Sequence, residues 1–174
     1  MILWLNGPYG VGKSTVAETL HTMLTDSMIF DAEQVGNAIR DNMPENLFRE
    51  TFEEYPLWAD VCVQMLQTLS VAYPGHVLVP MTIRLNDSMI IFSRLRDAGT
   101  DIRHIMLTTT EEEILRRILL RGEGAECWCA QQVRPTLVRQ EEMLCDFRLD
   151  AALSPSKLAR LIAISCGLEC KGSD

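Results

Sequence analysis

The stretch LNGPYGVGKST, residues 5–15, places three glycines, one lysine and two aliphatic hydroxyls within eleven residues. Gly7, four residues, then Gly12-Lys13-Ser14 fits G-x-x-x-x-G-K-[ST], the phosphate-binding P-loop. Each residue type has a physical reason to be there. Glycines let the backbone turn tightly and aim successive N–H groups at one anion. Lys13 supplies a point charge for terminal phosphates, and the Ser14 hydroxyl is a small oxygen ligand suited to Mg²⁺. Gly7, Pro8, Tyr9, Gly10, Val11, Gly12, Lys13, Ser14 and Thr15 are therefore the candidate ATP contacts, with Ser14 the candidate metal ligand.

The flanks agree. A P-loop follows a strand and opens a helix. Ile2-Leu3-Trp4-Leu5 is a short apolar run fit for a buried strand, and Val16, Leu20, Met23 and Leu24 recur on one helix face.

The remaining elements follow in order. Met28-Ile29-Phe30 is a second apolar run ending at Asp31, and 35–41 reads as a short helix. Residues 45–54 are polar and acidic. Trp58, Val61, Cys62, Met65, Leu69 and Ala72 mark a long amphipathic helix. HVLVPMTI, 76–83, reads as a third strand, and 87–98 as a helix closed by Gly99. Residues 102–107 read as a fourth strand. Thr110 opens a helix with Ile114, Leu115, Ile118 and Leu119 inward. Residues 125–146 read as a mobile, partly helical stretch, 147–151 as a short fifth strand, and Ser154-Pro155 as the start of the last helix. Strands alternating with helices predict one α/β domain over 1–174, with a mostly parallel sheet, helices on both faces and a mobile lid at about 122–135.

Composition narrows the classes. The chain has 174 residues, enough for one core-forming domain, and 47% hydrophobic with 23% charged residues is ordinary for a globular protein. A net charge of −8 opposes binding to nucleic acid or an anionic membrane. No apolar run is long enough to span a bilayer, and no basic region precedes the first one, so a cytoplasmic protein is expected. The six cysteines read as reduced thiols; Cys127-Trp128-Cys129 is a weak zinc alternative.

Ligands of such a sheet bind beyond the carboxyl ends of the strands. A GTP switch would carry D-x-x-G and N-K-x-D, and neither occurs. A motor-type ATPase would end its third strand in an acid, where this chain has Pro80-Met81-Thr82. A small-molecule kinase fits best. It needs a carboxylate near the acceptor hydroxyl and cations around the moving phosphoryl group. Asp31 is the candidate base, with Glu33 in reserve; Asp31 also suits a helix N-cap. Arg117 and Arg121 are candidate lid arginines and catalytic residues together with Lys13. Arg116 is read as a surface residue, with Glu112–Arg116 and Glu113–Arg117 as helical pairs. In EEYPLW, Tyr55 and Trp58 suit a flat hydroxylated acceptor, though each also suits the core. Arg40, Thr82 and Arg84 complete the candidate acceptor contacts, the arginines for an anionic acceptor.

Together, ILWLNGPYGVGKS, DAEQVG, YPLW, VPMTI and RGEG followed by Trp128 resemble the bacterial tunicamycin-resistance ATP-binding proteins. These are P-loop kinase-like, similar to shikimate, gluconate and nucleoside kinases and chloramphenicol phosphotransferase. The likeness runs from Met1 to about Gln132, and more loosely through LSPSKLARLI; Arg134-Pro135 departs from it. The resemblance implies a three-layer P-loop fold with a five-stranded parallel sheet of order 2-3-1-4-5. It further implies ATP and Mg²⁺ at the loop, the acceptor near Asp31, and tunicamycin or a uridine-like nucleoside as acceptor. Phosphorylation of a drug hydroxyl, ATP-dependent sequestration of the drug, and a natural nucleoside or nucleotide-sugar acceptor all remain open.

Overall fold

The computed structural model describes residues 1–84 and 89–172. Five parallel strands form one sheet: β1 (Ile2–Asn6), β2 (Ser27–Ile29), β3 (His76–Pro80), β4 (Ile102–Thr108) and β5 (Phe147–Asp150), in the order β2-β3-β1-β4-β5. This is the order implied by the resemblance. The register aligns Trp4 with Val79 on one side and with His104 on the other.

Alternation along β1 splits the core in two. Ile2 and Trp4 face a cluster built with α2 (Ala32–Asp41), α3 (Pro56–Ala72) and α4 (Ile90–Asp97). Leu3 and Leu5 face a second cluster built with α1 (Lys13–Met23), α5 (Glu111–Leu120), α6 (Trp128–Glu141) and α7 (Pro155–Cys166). Both faces of the sheet are thus covered, as parallel sheets require.

Several element boundaries differ from the sequence reading. The second helix begins at Ala32, because Asp31 caps it by accepting from the amides of Glu33 and Gln34. The third strand stops at Pro80; beyond it the Ile83 amide donates to the Asn6 side chain instead of to a strand. The helix expected over 87–98 is described as Ile90–Asp97, its first positions lying outside the described residues. The 125–146 stretch holds a fourteen-residue helix, α6, capped by the Cys127 thiol and containing Pro135. Its buried face is Ala130, Val133, Thr136 and Gln140, so half of the inward pattern is polar.

α2 lies against the turn of 3₁₀ helix Phe52–Glu54. Gly36 makes that approach possible: a Cβ there would sit 2.2 Å from the Phe52 ring. Overpacking costs about 1–3 kcal/mol, against about 1 kcal/mol gained in helix propensity. Gly36→Ala is therefore expected to lower the melting temperature by a few degrees, at about 2–4 °C per kcal/mol for a chain this size. A melting temperature raised by the substitution would show that the ring swings away freely.

Candidate functional site

The loop after β1 adopts the backbone its glycines permit. Gly7, Gly10 and Gly12 have φ of 147°, 81° and 106°. At Gly7 the constraint is also steric, since a Cβ would lie 2.3 Å from the Leu107 carbonyl oxygen. The first backbone bond of α1 runs from Val16 to Gly12, and Gly12 offers no side-chain cap. The amides of Lys13, Ser14 and Thr15 are thus the unpaired donors of a helix N-terminus, a ready anion cradle. Ser14 and Thr15 are exposed to solvent.

Lys13 is buried, with its Nζ donating to the carbonyls of Gly7 (3.0 Å) and Pro8 (2.9 Å). Burial lowers its pKa to about 8, opposed chiefly by the charge of Glu33. A cation folded onto two loop carbonyls is what a phosphate would draw out. These features fit the phosphates of a nucleotide.

The loop is held from beneath by Asn6, which is wholly buried. Its Oδ1 accepts from the amides of Gly7 (2.7 Å) and Ile83 (2.8 Å) and from Gln140 Nε2 (3.0 Å). Its Nδ2 lies 3.1 Å from His104 Nε2. His104 Nδ1 faces the Leu144 carbonyl at 2.9 Å, so Nδ1 carries the proton and Nε2 accepts from Asn6. Burial lowers the His104 pKa to about 4, which keeps that tautomer neutral. Thr82 completes the support by donating to the Gly7 carbonyl at 3.0 Å. Asn6, His104 and Gln140 were not among the candidates the sequence offered, since their partners lie far away along the chain.

Two cavities flank the loop. One, of about 490 Å³, lies among Gly10, Gly12, Thr15, Arg117, Arg121 and the turn from Ala151 to Pro155. Arg117 donates to the Val11 carbonyl (2.9 Å), the Ala151 carbonyl (2.7 Å) and Glu113 (2.7 Å), tying the P-loop to the end of β5. Arg121 pairs with Glu123 at 3.0 Å. Arg116 pairs with Glu113, not with Glu112 as the i, i+4 spacing suggested, and the two arginines hold the Glu113 carboxyl well below the usual range.

The other cavity, of about 460 Å³, is walled by Tyr9, Phe52 and Trp128, with Glu33, Arg40, Glu50, Thr51, Glu53, Met81 and Cys129. Tyr9 meets Trp128 edge-on at 4.9 Å, and burial raises the phenol's pKa. Glu33 reaches this cavity, whereas Asp31 borders an apolar groove of about 650 Å³ on the other side of α2. Partial desolvation raises the Glu33 pKa above the ordinary carboxylate range despite the pull of Lys13. Arg40 reaches the cavity too, and Arg84 lies behind its wall, ion-paired to Glu53 with its side chain 4% exposed. Tyr55 and Trp58 stand apart from it: Tyr55 Oη accepts from the Arg49 amide, and the wholly buried Trp58 donates to the Ala32 carbonyl. Among the described residues no cluster of three or more His, Cys, Asp or Glu could hold a metal. All six cysteines are free thiols.

Comparison with known proteins converges on the same fold. The family described as an AAA domain matches residues 3–128, so the chain belongs to that family. No curated protein matches the sequence. The tunicamycin resistance protein of Deinococcus radiodurans is similar, with a TM-score of 0.80 and 28% identity over 97% of each chain. A sugar kinase from Janibacter sp. HTCC2649 superposes with a TM-score of 0.71 at 15% identity, covering 96% of this chain and 94% of that one. Shikimate kinase from Acinetobacter baumannii superposes with 0.66 at 16% identity, covering 95% and 93%. The fold is that of P-loop small-molecule kinases, which implies nucleotide binding, and the resemblance to tunicamycin-resistance proteins read from the sequence is borne out. No helix among the described residues is long and apolar enough to cross a membrane.

Proposed function

We propose that this member of the AAA-domain family is an ATP-dependent phosphotransferase acting on a hydroxyl of a nucleoside antibiotic or related small molecule. The observation that carries the reading is the 460 Å³ cavity, which shares Tyr9 with the P-loop and presents Glu33, the carboxylate coupled to Lys13. The similarity to a tunicamycin resistance protein supplies the class of acceptor.

In this reading the amides of Lys13, Ser14 and Thr15 and the Lys13 ammonium hold the phosphates of ATP, and the Ser14 hydroxyl would hold Mg²⁺ together with water. The metal neutralises phosphate charge when bound. The 490 Å³ cavity beside Arg117 and Arg121 takes the adenosine. Glu33 accepts the proton of the acceptor hydroxyl as its oxygen bonds to the terminal phosphorus; the bond from that phosphorus to the ADP oxygen breaks. A raised pKa suits a base, since a carboxylate whose anion is destabilised by burial takes a proton more readily. Lys13 counters the charge of the moving group, while Arg117, its guanidinium spent on Glu113 and two carbonyls, fixes the loop that holds it.

A second reading is drug sequestration without transfer. The apolar groove along α2, walled by Phe30, Val35, Ile39, Leu57 and Met65, favours it by offering room for the acyl chain of tunicamycin. Incubation with Mg-ATP and tunicamycin, with uridine and UDP-sugars alongside, separates the two by mass spectrometry. A phosphate added to one compound supports transfer. Unmodified drug that co-purifies with the ATP-loaded protein supports sequestration.

A further inference from the structure

The charges around the 460 Å³ cavity restrict its ligand further, on the reading of that cavity as the acceptor site. Three carboxylates, Glu33, Glu50 and Glu53, line it against one arginine, Arg40. Arg84 offers no free charge. Its Nε pairs with Glu53 at 3.4 Å, its backbone amide donates to the same carboxylate at 2.6 Å, and its Nη1 donates to Gln132 at 2.7 Å. Arg40 is also engaged: Nη2 donates to Asn37 at 2.8 Å, and the guanidinium lies 5.2 Å from the centre of the Phe52 ring. Lys13 belongs to the phosphates of the nucleotide. With Arg84 cancelling Glu53, Glu33 and Glu50 face Arg40 alone, so the surplus is still negative, and a bound nucleotide adds to it.

Such a wall repels an anion at short range in a partly desolvated space. What it offers instead is aromatic surface from Tyr9, Phe52 and Trp128, and carboxylates that accept hydrogen bonds from hydroxyls. We infer that the acceptor carries no negative charge: it is a neutral hydroxylated ring compound, a free nucleoside or sugar, and its phosphorylated or carboxylated forms are excluded. This removes nucleotide-sugars from the candidate acceptors and reverses the expectation that Arg40 and Arg84 await an anion.

The test uses pairs that differ only in charge. Uridine against uridine 5′-monophosphate, and N-acetylglucosamine against its 6-phosphate, are titrated by ligand-observed NMR with a non-hydrolysable ATP analogue present. At least one neutral member is expected to bind tenfold or more tightly than its phosphorylated partner, and added salt should shrink the ratio. Glu50→Gln, at an exposed position, should narrow it at least threefold. A phosphorylated member that binds as well as the neutral one overturns the inference, as does binding by neither member of either pair. If the neutral compound binds with the expected preference but gains no phosphate from Mg-ATP, phosphotransfer fails while the charge rule stands.

Discussion

Glu33→Gln is expected to reduce turnover of the acceptor by about 10²–10⁴-fold, the range for loss of a general base, while Asp31→Asn costs less than about tenfold. The two carboxylates sit two residues apart, so only the rotation of α2 separates their roles. Asp31 spends its Oδ1 on the amides of Glu33 and Gln34, and it borders the apolar groove. Glu33 faces the cavity proposed for the acceptor, and its charge is the strongest acting on Lys13. Asparagine caps a helix about as well as aspartate, so Asp31→Asn leaves α2 in place and tests chemistry alone. Glu33→Gln carries a second signature. It removes the charge that holds up the Lys13 pKa, so the alkaline loss of nucleotide affinity should begin at lower pH than in the parent chain. Steady-state kinetics and nucleotide titrations across pH 6–10 on both variants decide the matter. A dead Asp31→Asn beside an active Glu33→Gln would return the role to Asp31.

The loop and its flanking strand and helix were legible because each rests on patterns with short range, whereas the order of the sheet followed only from the family resemblance. Glycines at fixed offsets, an apolar run before them and helical spacing after them need no tertiary information. α6 was hard to see for the opposite reason. Thr136 and Gln140 point inward and Pro135 interrupts the run, so no apolar stripe announces the helix. Gln140 is buried because Asn6 and the Ile83 carbonyl accept from it, partners more than fifty residues away. Asn6 itself carries no local mark. An asparagine closing a strand is ordinary until three segments are seen to converge on it. The same limit applies to YPLW, whose aromatics look like a stacking platform until the Trp58 N–H is found on the Ala32 carbonyl. It applies to the arginines as well, since nothing local pairs Arg84 with Glu53.

Lys13→Met is expected to weaken nucleotide binding by about 10–100-fold, the worth of a charge-assisted hydrogen bond lost from the complex, and to cut turnover by about 10²–10³-fold. The same substitution should leave the nucleotide-free fold as stable or more so at pH 7. Lys13 is held in the fold with a pKa of about 8, below its ordinary 10.5, because burial penalises the cation. The unfolded chain therefore binds more protons than the folded one between those values, so stability rises as pH climbs from about 8 to 10.5. Below pH 8 the full penalty for the buried cation is present, and methionine removes it. Nor are the loop carbonyls stranded. The Gly7 oxygen keeps the Thr82 hydroxyl, and the Pro8 oxygen keeps the Val11 amide. Urea denaturation of both chains at pH 7 and pH 10, with ATP-analogue titrations at pH 7, measures all of this. The gap between the two stabilities should close at high pH. A variant that binds nucleotide like the parent, or that loses several kcal/mol without nucleotide, would show that Lys13 is a structural clasp of the loop and not its phosphate cation.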